Sequence, residues 1–512
     1  MLIFTHFFYK YYVDSDDDSP LSNLVFIFSI LISLISVLLI PLDVFLSNPK
    51  DISNITQMNI DNNKFKNIML LLYFICIIFA FILIPFTFFF LDEKIDEYDT
   101  TGYNLLERIC SALKFTMIFI LFIGMVLMGG LFFKNNIQSK ELLNNNEGLK
   151  WIKELFDTEH FGEKSISFCI SIFSIFGMII LVCYTSYGIG VLPFYLIKGK
   201  KSLSSEQDEF ELDRAKKRDK IRNLEEKKIS LGLNKKEEKL LKNLKGDESH
   251  LTIKLELISD LIQQKGILDK LLSYLSPFRI LLGIICLFLS LSIFSSLLIS
   301  SLDRFFNSSC KIKCGYMLTE ENYENIIDLI LIFSSNFLHL DQIVFAIINL
   351  YIFICTIFAF CKLGIRIFCF TLFSIKKGAT SPQGLTLVSF SMTLMIFSLI
   401  LEIINLSPRY STFGNQVQID NNLCQLNHKN NNNTCIMTNI SKFSNKISIS
   451  LPFFTFIFYI ANWLVIIVSG LSLFYACFCK KEKEFDDIDF ENKNYEDDEE
   501  KCALKSLNEE DD

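Results

Sequence analysis

The chain has 512 residues, 51% of them hydrophobic and 14% aromatic, with 52 Phe against 2 Trp and a mean hydropathy of +0.37. Length alone would suit two or three soluble domains, but this hydropathy excludes them and specifies a multi-pass membrane protein. The formal net charge of −8 comes largely from one tail, "EKEFDDIDFENKNYEDDEEKCALKSLNEEDD", so the rest is near neutral and a nucleic-acid surface is excluded.

The opening residues, "MLIFTHFFYKYYVDSDDDSP", are apolar but too short to span, lack a small-residue cleavage site and break into acids at Asp14 to Asp18. They do not read as a signal peptide. A bilayer core asks for about 20 apolar residues in a helix. Such runs fall near Leu24 to Leu46, Ile68 to Leu91, Phe115 to Phe133, Ile166 to Leu192, Phe278 to Leu298, Ile343 to Cys361, Leu385 to Ile404 and Pro452 to Cys477. The expected fold is all-α, a polytopic helical membrane protein with about eight transmembrane helices, because a barrel would show short alternating strands. "IIDLILIFSSNFLHLD", before the sixth run, is too short to cross and reads as a re-entrant or luminal-face helix.

The expected organisation is a short cytosolic N-terminus over 1–23, four spans over 24–198 and a cytosolic helical loop over 199–276. Four more spans with glycosylatable luminal loops occupy 277–478, and an acidic, disordered cytosolic tail occupies 479–512. Sequons supply an independent test of topology. They stand at Asn54 ("NIT"), Asn307 ("NSS"), Asn432 ("NNT") and Asn439 ("NIS"), in three interspan loops that eight spans place on one side. That side is the lumen, and both termini are then cytosolic. "KGKKS" after the fourth span and "IKKG" at Ile375 to Gly378 fall on the cytosolic side, whereas the Lys-containing loop from Lys134 to Lys164 counts the other way.

Of 15 cysteines, Cys76, Cys169, Cys183, Cys286 and Cys355 lie in apolar runs, where a thiol acts as a small hydrophobe. Cys424 and Cys435 flank an Asn-rich luminal stretch and are expected to close a disulfide; Cys310 and Cys314 are a second candidate pair with more demanding geometry.

"YTSYGIGVLPFYLIKGKKS" places Gly188, Gly190 and Pro193 inside the fourth span. The glycines offer a flat face to a neighbouring helix, either internal or a partner's, and the proline frees backbone carbonyls. In the cytosolic loop, Ile221, Leu224 and Leu231, then Leu240, Leu241 and Leu244, then Leu251, Leu255, Ile258 and Ile262 recur at helical spacing. Gly232 ends one helix, and Asn234 with Glu237 forms a capping box for the next. The result is a helical hairpin, either solvated and packed on the membrane domain or a docking site for a cytosolic partner. "YNLL", Tyr103 to Leu106, fits the Tyr-x-x-apolar pattern that clathrin adaptors bind as an extended peptide.

No H-E-x-x-H, G-x-S-x-G, Walker loop or paired C-x-x-C occurs, and the chain does not read as an enzyme. His6, His160, His250, His339 and His428 are scattered; His339 with Asp341 is the nearest approach to a metal pair, and reads as interfacial polarity. Asp43, Arg279 and Glu402 stand near span ends, where snorkelling into the interface is expected.

"LIPLDVFLSN", "ILIPFTFFFLDE", "YTSYGIGVLPFYLIKGKKS", "SSLDRFF", "LDQIVFAIINLYIF", "FSIKKGATSPQGL" and "LSPRYSTFGNQ" together resemble the limb-region-like membrane protein family, in its cobalamin-transport branch. The resemblance implies a lysosomal membrane protein needed for cobalamin, vitamin B12, to leave the lysosome as cargo. It implies an escort of an ABC-type lysosomal transporter and a contact with a cytosolic cobalamin-processing chaperone. Two rival readings are a solute transporter in its own right and a plasma-membrane endocytic receptor that engages a clathrin adaptor. Family members carry nine spans, with a complete helix before "PLDVF"; here "MLIFTHFFYKYYV" stands in its place. The family's adaptor motifs belong to the large cytosolic loop, whereas "YNLL" lies in another.

Overall fold

The computed structural model describes residues 2–14, 19–47, 55–95, 105–132, 161–199, 203–231, 234–264, 276–307, 323–337, 340–367, 370–417, 424, 435–450 and 452–478. The chain divides into two compact units, one of Met1–Leu192 with Leu287–Ala476, the other of Pro193–Cys286 with Cys477–Asp512.

The helices in chain order begin with α1 (Leu2–Tyr12), α2 (Pro20–Leu46), α3 (Ile55–Ile78), α4 (Ile84–Ile95), α5 (Leu105–Phe132), α6 (Phe161–Ile180) and α7 (Ser186–Lys198). They continue as α8 (Leu203–Leu231), α9 (Lys235–Gln264), α10 (Ser276–Asn307), α11 (Ile326–Ser335) and α12 (Leu340–Leu363). After a hairpin of β1 (Ile365–Ile367) and β2 (Phe370–Phe373) come α13 (Pro382–Leu406), α14 (Pro408–Phe413), α15 (Asn439–Ser450) and α16 (Pro452–Phe478). Among the described residues, eight helices are long and apolar enough to cross a membrane. They are α2, α3 with α4, α5, α6 with α7, α10, α12, α13 and α16. The protein is an all-α polytopic membrane protein.

Serine followed by proline opens the two central spans. Ser19 and Ser381 accept first-turn N–H groups, and Pro20 and Pro382 occupy the first helical turn, where their missing N–H costs nothing. These two helices form the middle of the bundle, with α13 buried at almost every residue between α2 and α6. Lipid tails are as apolar as leucine, so burial alone does not draw spans together, and packing relies on small and hydroxyl side chains. Ser22 Oγ donates to Pro382 O at 3.5 Å, and Ser29 Oγ meets Ser389 O at 3.5 Å and Thr393 Oγ1 at 3.1 Å. Both numbers rise together along the pair, so α2 and α13 run parallel, as the first and seventh of eight spans must. Beyond this seam, rings fill the core: Phe81 lies 4.2 Å from Phe173 and Tyr73 6.2 Å from Phe397.

Two spans are interrupted. Single π turns at Phe79–Leu83 and Leu181–Thr185 break the second and fourth. In the fourth, Pro193 has no N–H to offer the carbonyl of Ile189, four residues back. That carbonyl instead accepts Ser290 Oγ at 2.6 Å, and Ser290 also meets the Tyr351 hydroxyl at 2.6 Å. Thr185 and Thr356 bond across the same region at 2.8 Å. The glycine face is taken by the protein's own helices. A Cβ on Gly188 would strike the backbone carbonyl of Cys355 in α12, and one on Gly190 would strike Ser472 of α16. No side of this pair is left for a partner's helix.

The short N-terminal stretch is itself structured. Tyr9 of α1 is fully buried, its ring 5.5 Å from Phe26, and the chain pairs beyond it through Asp14 N–H to Thr380 O at 3.0 Å. An eleven-residue helix is marginal alone, and packing of its aromatic face holds it. The strands of the β1–β2 hairpin, three and four residues long, carry too little period to mark them in the sequence.

In the other unit α8 and α9 pair as a hairpin around Ile221, Leu241, Leu255 and Ile258. Lys217–Asp247, Arg218–Glu248 and Lys245–Glu225 bridge them at 2.8 Å each. Asn234 N–H donates to Glu237 at 3.1 Å, one half of a capping box. Exposed ion pairs contribute little, so the apolar seam sets the stability of this hairpin.

Replacing Gly188 by Leu should destabilise the protein by about 2 kcal/mol or more through overpacking. Gly124→Leu, at a position with nothing within 4 Å, should leave the melting midpoint in detergent unchanged. Equal midpoints for both variants would refute the tight α7–α12 contact.

Candidate functional site

Buried polar side chains concentrate at one end of the bundle, marked by a disulfide between Cys424 and Cys435, whose Cα atoms are 6.1 Å apart. At its centre is the segment 407–416, "SPRYSTFGNQ", which leaves α13, forms α14 and turns at Gly414.

Two carboxylates organise this end. Asp43, in the last turn of α2, is fully buried; its oxygens accept Asn439 Nδ2 at 2.9 Å and the Ile440 N–H at 2.8 Å. An anion thus sits against the unpaired N–H groups that open α15, where the helix dipole favours it. Nearby, burial lowers the pKa of Lys442 while the Asp43 charge opposes that effect. Gln416 closes the neighbouring loop, donating to Ser47 O at 3.0 Å and Ile436 O at 2.8 Å and accepting the Ile436 N–H at 2.7 Å.

Asp328 of α11 does for α14 what Asp43 does for α15. Ser407 precedes α14 but does not cap it, since its hydroxyl turns back to Ile403 O at 3.3 Å. Asp328 supplies the acceptors from another helix, taking the Tyr410 N–H at 3.0 Å and the Arg409 N–H at 3.3 Å. Burial raises the Asp328 carboxyl above the usual range, against the pull of those two bonds and the Arg409 charge. The Tyr410 hydroxyl donates to Asp341 of α12 at 2.7 Å, and burial first, then Asp341, pushes that phenol up.

A neutral network ties in the remaining helices. Asn325 caps α11, accepting the Ile327 N–H at 3.0 Å, and donates to Ser300 Oγ at 2.7 Å on α10. Asn405 donates to Asn462 at 2.8 Å, which donates to Ser301 at 2.7 Å, joining α13, α16 and α10. Chemically the site can hold charge and hydrogen bonds away from water. Among the described residues no group of three or more His, Cys, Asp or Glu is placed to hold a metal.

Several sequence expectations change here. Asp43 and Glu402 do not snorkel; both are buried, at 0% and 4% exposure, Asp43 against the first residues of α15. Arg279 is exposed, its guanidinium over Gly199. Asn439 is not an open sequon in this arrangement, since its amide is committed to Asp43. Asn307 stands exposed at the end of α10, bonded to Asp303. Of "YNLL", Leu106 lies in the first turn of α5. Tyr103, Asn54, Asn432, Cys310, Cys314 and His339 lie outside the described residues.

Asp328, Arg409, Tyr410, Gln416 and Asn325 had not been singled out as site residues. The available signal was an acid inside the apolar "IIDLILIF" and polar residues packed into "SPRYSTFGNQ" between apolar runs.

The sequence pattern of the LMBR1-like membrane proteins matches residues 1–265, more than half of the 512 residues. The chain belongs to this family. Among LMBR1-like relatives it is 26% identical to a probable lysosomal cobalamin transporter of Nematostella vectensis, over 95% of this chain and 94% of the relative. It is 28% identical to a probable lysosomal cobalamin transporter of Dictyostelium discoideum, over 94% of each chain. It is 27% identical to the lysosomal cobalamin transport escort protein LMBD1 of Mus musculus, over 94% of this chain and 92% of the relative. No solved structure matches this LMBR1-like chain.

Asp43→Ala would leave the Asn439 amide and the Ile440 N–H without their acceptor, and should cost about 2–4 kcal/mol. Asp43→Asn, which keeps one acceptor, should cost less. Thermal unfolding in detergent checks the order, and an alanine variant as stable as wild type would remove Asp43 from its capping role.

Proposed function

We propose that this protein is a multi-pass lysosomal membrane protein that serves export of cobalamin to the cytosol, as the escort of an ABC-type transporter. The observation that carries the reading is full-length similarity: relatives named for lysosomal cobalamin transport, or for its escort, align over more than nine-tenths of this chain. The dense helix packing at Gly188 and Gly190 leaves surfaces outside the bundle interior as partner contacts, and the α8–α9 hairpin suits a cytosolic cobalamin-processing chaperone. In this reading the disulfide end faces the lumen and both termini face the cytosol. The sequons at Asn54, Asn307 and Asn432 and the Cys424–Cys435 bond support that orientation.

A second reading, transport through the bundle itself, is favoured by the π interruptions of the second and fourth spans, since interrupted helices commonly build transporter sites. Cobalamin efflux from proteoliposomes separates the two. Vesicles holding this protein together with the ABC-type transporter and ATP should release cobalamin, and vesicles holding this protein alone should not. Release by the protein alone would make it the carrier.

Glycan mapping tests the orientation. Asn307→Gln should increase gel mobility by one glycan, whereas Asn439→Gln should leave it unchanged. A fully unglycosylated chain that reaches the lysosome would oppose a luminal disulfide end.

A further inference from the structure

The α8–α9 hairpin carries its charge unevenly. From Arg214 to Glu248, the stretch that contains its tip, thirteen Lys or Arg stand against seven Asp or Glu, a net of +6. From Leu203 to Asp213, at its base, there are five acids and no Lys or Arg. Ion pairs engage Lys217, Arg218, Lys227 and Lys245 of the distal stretch. Lys220, Lys228, Lys236, Lys239 and Lys242 are exposed and have no acidic partner among the described residues. Ile229, next to Lys228, is 88% exposed. Like charges crowded on one hairpin repel one another, and acids laid against them relieve that repulsion.

The chain carries such acids itself. Residues 479–512 lie outside the described residues, but their sequence and point of attachment are known. Glu484 to Glu500 hold ten acids against one lysine, a net of −9, with Phe485, Ile488 and Phe490 set among the first five acids. The tail begins where α16 ends, and there Lys198 Nζ, at the end of α7, donates to Cys477 O at 2.9 Å. Tail and hairpin therefore start from neighbouring points. α9, with 30 residues, is about 45 Å long. An extended chain covers that distance in about 13 or 14 residues, and the acidic stretch lies 6 to 22 residues beyond Phe478. Exposed ion pairs are weak singly, but a short tether holds the two partners at an effective concentration of about millimolar.

We propose that residues 484–500 dock across the basic distal part of the α8–α9 hairpin. Their acids lie against Lys220, Lys228, Lys236, Lys239 and Lys242, and their apolar side chains lie toward Ile229. The tail thus occupies this surface in the resting protein, and an outside ligand for it must first displace the tail. The contact does not depend on the cobalamin reading.

The test uses the full chain in phosphatidylcholine nanodiscs, with a synthetic peptide of residues 484–500 as the probe. A variant whose ten acids over 484–500 are replaced by their amides should bind the peptide about tenfold more tightly than wild type at about 0.15 M salt, because the tethered competitor is gone. The difference should close at about 1 M salt, where the screening length falls from about 8 Å to about 3 Å. Adding Lys220→Gln, Lys228→Gln, Lys236→Gln, Lys239→Gln and Lys242→Gln to that variant should abolish the gain. Equal peptide affinity in wild type and the amide variant would mean that the surface stands open to acidic proteins or anionic lipid, and overturns the proposal. A gain that survives the five lysine changes overturns it as well. Should a variant fail to fold, carbodiimide coupling in the wild-type chain decides. Amide links from 484–500 to these lysines within one chain support the contact; their absence, or links formed only between isotopically distinct chains, as a second copy would give, rejects it. Cobalamin efflux is not read in either assay, so a negative result leaves export standing.

Discussion

A helix surrounded on every side by other helices in a bilayer gains nothing from hydrophobic exclusion, because lipid would solvate it equally well. α13 is in that position, and what holds it is a seam of close backbone approach and hydroxyl bonds to α2, together with rings packed from α6 and the second span. Serine and threonine suit this seam because they are small enough to admit a neighbouring backbone and can still bond to it. Ser22, Ser29, Ser33 and Ser36 recur along the buried side of α2, and Thr386, Ser389 and Thr393 along α13. Since α13 orients both ends of the bundle, the loops that follow it inherit a fixed starting point.

That starting point explains the disulfide end. α13 stops at Ser407 and the chain turns at once into α14, whose first N–H groups would be stranded in an apolar setting. A side chain from a distant helix meets that need, as Asp43 does for α15. Capping from another helix couples secondary structure to tertiary structure, since each short helix exists only where its carboxylate is already in place. The acids are therefore part of the architecture, which is why they are buried rather than drawn to the interface.

How much of this could be read beforehand follows from the kind of signal. Long apolar runs report spans directly, and the eight emerge near the positions their hydropathy indicates. The face each helix buries is harder, because an apolar helix in lipid shows little amphipathic contrast; nothing in the run from Leu385 to Ile404 marks it as central. The consequence of Pro193 was legible as a freed carbonyl, but that carbonyl's acceptor role depends on Ser290, 101 residues further along the chain, and no local rule supplies that. Asp43 and Glu402 were read from their positions near span ends, where an isolated helix would let them snorkel. Burial inside the folded bundle, Asp43 against the start of α15, reverses that reading. Asp341 drew notice beside His339, yet its partner is Tyr410, in a segment whose density of hydrogen-bonding residues is visible only as composition.

The placement of charge also bears on how the family scaffold works. A conduit through the membrane needs polar groups distributed along its depth. Among the described residues the buried carboxylates cluster at one end, while in the middle Thr185 bonds Thr356 and Ser290 bonds the Ile189 carbonyl, and Ser33 and Asn349 are buried without a hydrogen-bond partner. Such bonds fasten helices together, whereas a moving substrate requires groups that can exchange partners. Hydroxyl contacts such as these and short helices capped by distant carboxylates hold the helices in one arrangement.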